Sequence, residues 1–275
     1  DAPAVALNRY YENGSYWVGE VNPLTPGALE TYVEPVIGMD EQGYLYLVYS
    51  VFNVSAGNTW LRARRSVAPW DIAAWTNERE VAFHPGLTSF SPRIAVTGSS
   101  FDGDLKVMIT YLDTDAAFNT IIGNMEENGD WTSGNPFSGV GPYTVSANLL
   151  NSVDVLGPDL AYDAADNLYV VWADDRDMLN RKLYGNFSAD GGLTMDSLNE
   201  THIGGVEDVR QAPRIAVGDQ EGEIAIAYIK YDSSFESPFM LVKTTEYFDR
   251  CDQDPSVAGW WTNYSGITVD SSNYY

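Results

Sequence analysis

The sequence predicts an all-β chain made of repeated four-stranded antiparallel units, and three observations carry that prediction. Pro35, Pro92, Pro158 and Pro213 stand 57, 66 and 55 residues apart, each just ahead of an apolar run. A proline fits the first position of a strand, where no ladder donor is lost. Behind each proline come further short runs rich in β-branched and aromatic residues, separated by turns of Asp, Asn and Gly, so that each repeat holds up to four strands. Nothing reads as a long amphipathic helix; the best helical stretch, Pro69 to Thr76, is one or two turns at most. Small sheets repeated at this period must bury both faces against their neighbours, which is the arrangement of a β-propeller.

Residues 157–195 show the repeat most completely. Leu160 to Tyr162, Leu168 to Trp172 and Lys182 to Phe187 each read as a strand. Asp163-Ala-Ala-Asp166-Asn167 between the first two is a hairpin turn, because Asp and Asn bond their own backbone and tolerate left-handed conformations. An outer strand is expected at Thr201 to Gly204. The repeat before the first proline is reduced to a hairpin, Pro3 to Leu7 and Ser15 to Val21 around Glu12-Asn13-Gly14, with Ala28 to Val33 as the remnant of its outer strands. Of the other copies, one has Trp75 followed by a strand at Arg79 to Phe83, the next reaches Gly129-Asp130-Trp131, and the last has Trp261 followed by Gly266 to Val269. The expectation is a single domain over 1–275 with a partial blade at 1–33 and full blades at about 34–90, 91–156, 157–211 and 212–275, about five in all.

The third strand of the 157–195 unit runs into Ser188-Ala-Asp190-Gly-Gly192-Leu-Thr194-Met195. Ser and Asp side chains there can accept backbone N–H bonds, Gly192 can take φ > 0, and the last apolar residue can pack beneath the turn. The stretch resembles the Asp box of the sialidase-like BNR-repeat propeller superfamily, S-x-D-x-G-x-T-W, with Met195 in place of the aromatic residue. The resemblance implies a propeller fold and marks a turn between the third and fourth strands of a blade, away from any catalytic centre.

Composition excludes several function classes. Acidic residues outnumber basic ones 39 to 15, for a net charge of −24, so DNA and other polyanions are repelled. The acidity reads as solubility in a salty or acidic setting, with Ca2+ binding as the sharper alternative. Cys251 is the single cysteine and rules out an intrachain disulfide. No stretch approaches the roughly 20 apolar residues of a membrane span. Sequons at Asn13, Asn53, Asn186, Asn199 and Asn263 fit a secreted or cell-surface glycoprotein.

Chemistry is expected where the first strands of the blades enter the central channel. Glu34, Arg93, Asp159 and Arg214 occupy those entries, and the loops joining second and third strands add Asp113, Asp115, Asp174, Asp175, Arg176, Asp177 and Asp232. Arg93 and Arg214, helped by Asp174 and Arg176, are the candidate ligand-binding set, since guanidinium forks take a carboxylate bidentately. Glu34 and Asp159 are the candidate acid and base. The resemblance implies an arginine cluster for an acidic sugar, an aspartate acid/base and a tyrosine paired with a glutamate; the P-R-I of 92–94 and 213–215 differs in order from that family's R-I-P. The structural alternative has these arginines and carboxylates pairing to hold blades together. Asp174, Asp175 and Asp177 are weak metal candidates that do not match the spaced D-x-D-x-D-G calcium loop. His84 and His202 lack a nearby Cys or His partner, which disfavours zinc.

The residues therefore point to a non-catalytic propeller whose partner is a carbohydrate or a surface protein. A glycoside hydrolase, sialidase-like or five-bladed, is the enzymatic alternative. A self-assembling surface subunit, with end strands pairing between copies, is the structural one.

Overall fold

The structure is a computed structural model that describes residues 7–11, 16–21, 24, 29–82, 88–99, 101–114, 119–127, 131, 143–146, 155–176, 181–195, 200–203, 209, 212–218, 224–230, 239–245 and 262–264. The described elements are strands. They begin with a hairpin of β1 (Leu7–Tyr11) and β2 (Tyr16–Val21). Four four-stranded antiparallel sheets follow, each in simple meander order. The first is β3 (Glu30–Met39), β4 (Leu45–Asn53), β5 (Asn58–Arg65) and β6 (Arg79–Ala82). The second is β7 (Thr88–Thr97), β8 (Lys106–Thr114), β9 (Asn119–Glu127) and β10 (Tyr143–Thr144). The third is β11 (Val155–Tyr162), β12 (Leu168–Asp174), β13 (Lys182–Ser188) and β14 (Thr201–His202). The last is β15 (Arg214–Val217), β16 (Ile224–Lys230), β17 (Phe239–Thr245) and β18 (Thr262–Tyr264). Two compact units result, residues 1–115 with 124–141, and residues 116–123 with 142–275; their boundary runs within β9.

The second strands of the first three four-stranded sheets show why the pattern reads as small sheets packed on both faces. Every residue of β12 is buried, as is the interior of β8 and most of β4. A strand buried on both faces needs a continuous apolar run instead of an alternation, which is what Leu168 to Trp172 and Val107 to Leu112 supply. In the second unit the core joins β12, β13 and β16 through Tyr169, Val171, Ala173, Leu183, Ile224, Ile226 and Tyr228. In the first, Leu24 packs on Tyr32, Leu47, Tyr49 and Val51.

Pro35, Pro92 and Pro158 mark interruptions inside first strands, whereas Pro213 stands directly before β15, where a strand-opening proline is expected. The ladder skips between Val33 and Val36, between Phe90 and Arg93, and between Leu156 and Asp159. Proline has no N–H to donate, and Glu34 and Ser91 just ahead of two of these prolines sit at φ 53°, so the strand bulges and then resumes. Residues 30–33 consequently belong to β3, the first strand of the first full sheet, and are not the remnant of an earlier outer strand. The leading hairpin likewise pairs from Leu7, with Arg9 opposite Val18 and Tyr11 opposite Tyr16; Pro3 to Ala6 lie outside the described residues.

The outer strand of the last sheet differs from expectation, and that of the second sheet lies beyond the Gly129-Asp130-Trp131 stretch. In the second sheet that role falls to Tyr143–Thr144, which pairs with Gly123 and Ile122. Trp131 instead lies fully buried, its ring edge-on to Tyr46 at 5.3 Å and its Nε1 donating to Glu126 at 3.2 Å. A large ring with one polar edge gains more by filling the core than on an outer strand. In the last sheet the outer strand is Thr262–Tyr264, and residues 266–269 lie outside the described residues.

The hairpins between first and second strands reuse one local device. Asp40 Oδ1 accepts from the N–H of Gln42 and Tyr44, and its Oδ2 from the Tyr46 hydroxyl at 3.0 Å. Asp163 does the same toward Ala165, Asn167 and Tyr169, at the same sequence offsets. In the second sheet Ser99 and Asp104 close the turn, Asp104 Oδ1 accepting from Ser99 N at 2.8 Å. Gly98 there has φ 68°, and a Cβ on it would stand 2.4 Å from the Asp104 carbonyl oxygen. Gly98→Ala is therefore expected to cost about 1–3 kcal/mol or more, read as a lower denaturant midpoint with an unchanged slope; an unaltered midpoint would show that the turn has another low-energy conformation.

Candidate functional site

The bulge residues place the predicted entry groups. In the first unit Glu34 Oε2 accepts from the backbone N–H of Ser91 at 2.8 Å and from Ser50 Oγ at 3.2 Å. In the second unit Asp159 Oδ2 accepts from the backbone N–H of Ile215 at 2.9 Å. Both candidate acid/base carboxylates thus tie the first strand of one sheet to the first strand of the next. Ser91 lies in the β7 bulge, where the interrupted ladder leaves its N–H without a strand partner. Arg93, directly after the bulge proline of β7, and Arg214, directly after the proline that precedes β15, curl back in the same way: Arg93 Nη1 donates to the Pro92 carbonyl at 2.7 Å and Arg214 Nη1 to that of Pro213 at 3.0 Å. Arg214 is exposed and Arg93 half-buried. Glu34 and Arg93 belong to the first unit, Asp159 and Arg214 to the second.

The loop candidates Asp174 and Arg176 meet a third residue that sequence reading missed. Asp174 ends β12 with a fully buried side chain; Oδ1 accepts from the N–H and Nε of Arg176, and Oδ2 from Trp172 Nε1 at 3.0 Å and Arg176 Nη2 at 2.6 Å. Arg176 also pairs with Glu200, which is nearly buried, and lies 4.0 Å over the Tyr184 ring, itself stacked on Trp172. Burial would lower the Arg176 pKa, but the two carboxylates outweigh it and raise it above the ordinary arginine value. Glu200 stands 24 residues from Arg176, so no local spacing announces it. Asp113 holds the equivalent strand-end position on β8 and accepts from Ser89 Oγ at 2.8 Å. An aromatic residue two positions before the aspartate, Tyr111-Leu-Asp113 and Trp172-Ala-Asp174, is the shared signal.

As a metal site, Asp174 presents oxygens that already receive four N–H donors, and Asp175 is half-buried beside it. Among the described residues no group of three or more His, Cys, Asp or Glu side chains gathers as a metal would require. Asp115, Asp177, Asp232, His84 and Cys251 lie outside the described residues. The backbone of His202 pairs with Tyr184 in β14. One sequon is overturned: Asn186 is completely buried and its Nδ2 donates to the Val145 carbonyl at 2.7 Å, so the folded chain offers no amide there for a glycan. Asn53, by contrast, opens the exposed turn 54–57.

A second polar network, also unforeseen, covers one face of the first full sheet. Glu78 accepts from the Tyr49 hydroxyl at 2.7 Å and the Tyr32 hydroxyl at 3.3 Å, and pairs with Arg62 at 2.9 Å and Arg64 at 3.2 Å; Arg62 reaches on to Glu30 at 3.1 Å. Burial, then the neighbouring Glu78 and Glu30 charges, push the Tyr32 phenol up to about 12, and burial pushes Tyr49 higher. Both hydroxyls donate to the same Glu78 oxygen. Burial alone would raise Glu78, but the Tyr49 hydrogen bond and the two arginines outweigh it and hold the carboxyl below its usual range. A depressed carboxylate stabilises the fold above its unfolded value and loses that contribution as pH falls through the folded one. Wild-type stability should fall on acidification below about pH 4.5, whereas Glu78→Gln, already weakened at neutral pH, should show a flatter acid limb in denaturant titrations. Equal slopes would mean that Glu78 does not titrate differently on folding.

The 188–195 turn closes on its own side chains. Ser188 Oγ donates to Asp190 Oδ1 at 2.6 Å and accepts from Gly192 N at 2.8 Å, and Asp190 Oδ1 accepts from Thr194 N at 2.9 Å. Gly191 and Gly192 take φ 74° and 98°, and Met195 is buried. Burial works against ionisation of Asp190, yet the Ser188 and Thr194 bonds prevail and lower its pKa.

No protein-family model matches the chain, and no curated protein matches it in sequence. Solved structures do match in fold. A Hadza microbial sialidase superposes with a TM-score of 0.55 at 10% identity, over 86% of this chain and 46% of that one. The Trypanosoma rangeli sialidase gives 0.52 at 10% identity, over 96% and 41%. The Penicillium chrysogenum α-L-arabinanase gives 0.52 at 11% identity, over 82% and 63%. The chain has a β-propeller fold. Among the described residues that fold is carried by four-stranded antiparallel sheets. The propeller spans less than half the length of either sialidase.

Proposed function

We propose that the chain is a single secreted or cell-surface propeller domain that binds carbohydrate without cleaving it, with Arg93 and Arg214 as ligand groups. The observation that carries the non-catalytic reading is the engagement of both candidate carboxylates: Glu34 caps Ser91 and Asp159 caps Ile215. An acid or base already committed to a backbone N–H of the neighbouring sheet is poorly placed to exchange a proton with a substrate. Carbohydrate as the ligand rests on fold analogy with a sialidase and an arabinanase by name, and on the repeated Pro-Arg-Ile geometry. Membership of the Asp-box superfamily is supported by the side-chain closure of residues 188–195. The exposed sequon at Asn53 supports a secreted glycoprotein.

The test is a glycan array read with the wild type, Arg93→Ala and Arg214→Ala, while released sugar is followed in solution. Binding of an acidic sugar that falls at least about tenfold in both variants, with no sugar released, is the expected result. Released sugar, abolished by Glu34→Gln or Asp159→Asn, would replace this reading with a glycoside hydrolase.

A further inference from the structure

Asn53 ends β4 with its side-chain oxygen engaged and its side-chain nitrogen spare. Oδ1 accepts from the backbone N–H of Ser55 at 3.0 Å and of Ala56 at 2.9 Å, and the Asn53 carbonyl accepts from Gly57 N at 2.9 Å. An asparagine that bonds the N–H groups two and three residues on fixes both the turn and the plane of its own amide. Nδ2 makes no hydrogen bond and is not among the polar atoms sealed from solvent. Val54 is 59% exposed, residues 55–57 are exposed as well, and a Cβ built on Gly57 would meet nothing within 4 Å. The hairpin tip between β4 and β5 therefore has room for a bulky substituent on that nitrogen.

Asn53-Val54-Ser55 is a sequon, and its middle residue is not proline. Asn186-Phe187-Ser188 has the same sequence pattern in the opposite setting. Asn186 Nδ2 donates to the Val145 carbonyl at 2.7 Å from a completely buried side chain, and Ser188 Oγ is committed to Asp190 and Gly192. A glycan placed there would break that bond and force sugar into the core, leaving the Val145 carbonyl buried without its donor. At Asn53 the substituent costs the fold nothing: the amide keeps one N–H, and Oδ1 stays in the turn.

We propose that Asn53 is an N-glycan attachment site, whereas Asn186 stays bare. The inference rests on the secreted reading of the chain and fixes the position that the glycan takes. In the transfer, Nδ2 loses one proton and bonds the anomeric carbon of an oligosaccharide. The bond from that carbon to the oxygen of a lipid diphosphate breaks, the lipid diphosphate leaves, and nothing is oxidised or reduced. The test is secretion of the whole chain from a eukaryotic host behind a signal peptide, beside Asn53→Gln and Ser55→Ala, with each sequon mapped by peptide mass spectrometry before and after peptide-N-glycosidase. Ser55→Ala removes the sequon hydroxyl but neither hydrogen bond of the turn, so circular dichroism should show it folded like the wild type. The expected result is a glycan on Asn53 of the folded wild type, released by the enzyme and lost in both variants, with Asn186 unmodified. A bare Asn53 in the folded wild type, or a glycan on Asn186 of the folded chain, would overturn the proposal. Glycans at Asn13, Asn199 or Asn263 beside a bare Asn53 would sink this assignment and leave the glycoprotein reading standing; a wild type secreted with no glycan at all would sink both.

Discussion

Arg176→Ala is expected to cost about 3–5 kcal/mol of folding stability, because it removes the countercharge that Asp174 and Glu200 share. Asp174 has a fully buried side chain and Glu200 a nearly buried one. Neither can recruit water as a replacement donor without opening the sheet around Trp172 and Tyr184. Most of the loss is the penalty of leaving those charges unpaired, and not the intrinsic worth of the ion pair. Arg176→Met separates the two: it restores the apolar stem over Tyr184 but not the charge, so it should recover little. Combining it with Asp174→Asn and Glu200→Gln should recover much more. Chemical denaturation of the single, double and triple variants measures this coupling directly. A cost below about 1 kcal/mol for Arg176→Ala would place the network at a solvated surface.

Trp131→Ala should be comparably damaging, about 3–5 kcal/mol. The ring is fully buried against Tyr46, and its loss leaves both a cavity and a buried Glu126 without its indole donor. Trp131→Phe keeps an edge toward Tyr46 and loses the Nε1 bond, so it should fall between the two. The measurement is the midpoint of urea unfolding followed by far-ultraviolet circular dichroism, which does not depend on the removed chromophore. On an exposed outer strand the same substitution would change stability by only about 0.5 kcal/mol.

The contrast between those two placements of Trp131 shows how far the sequence reaches. Strand identity follows from runs such as Leu168 to Trp172, since a segment buried on both faces must be apolar throughout. The hairpin turns are equally local: Asp40 and Asp163 satisfy N–H groups two and four residues away, so their offsets can be counted along the chain. The side-chain closure of residues 188–195 is of the same kind. Those features, and with them the propeller of four-stranded sheets, are determined by residues within a few positions of one another.

Tertiary structure decided what depends on distant strands. Pro35, Pro92 and Pro158 look like strand starts but sit in bulges, because two to four residues before them find partners on β4, β8 and β12. Glu78 joins Tyr32, 46 residues away, and Asp159 joins Ile215 across 56. A carboxylate at either position looks the same in sequence whether it faces a substrate, a solvent or an unpaired N–H. Which of these it meets is set by how one sheet stacks on the next, and that stacking is a property of buried surfaces, not of spacing.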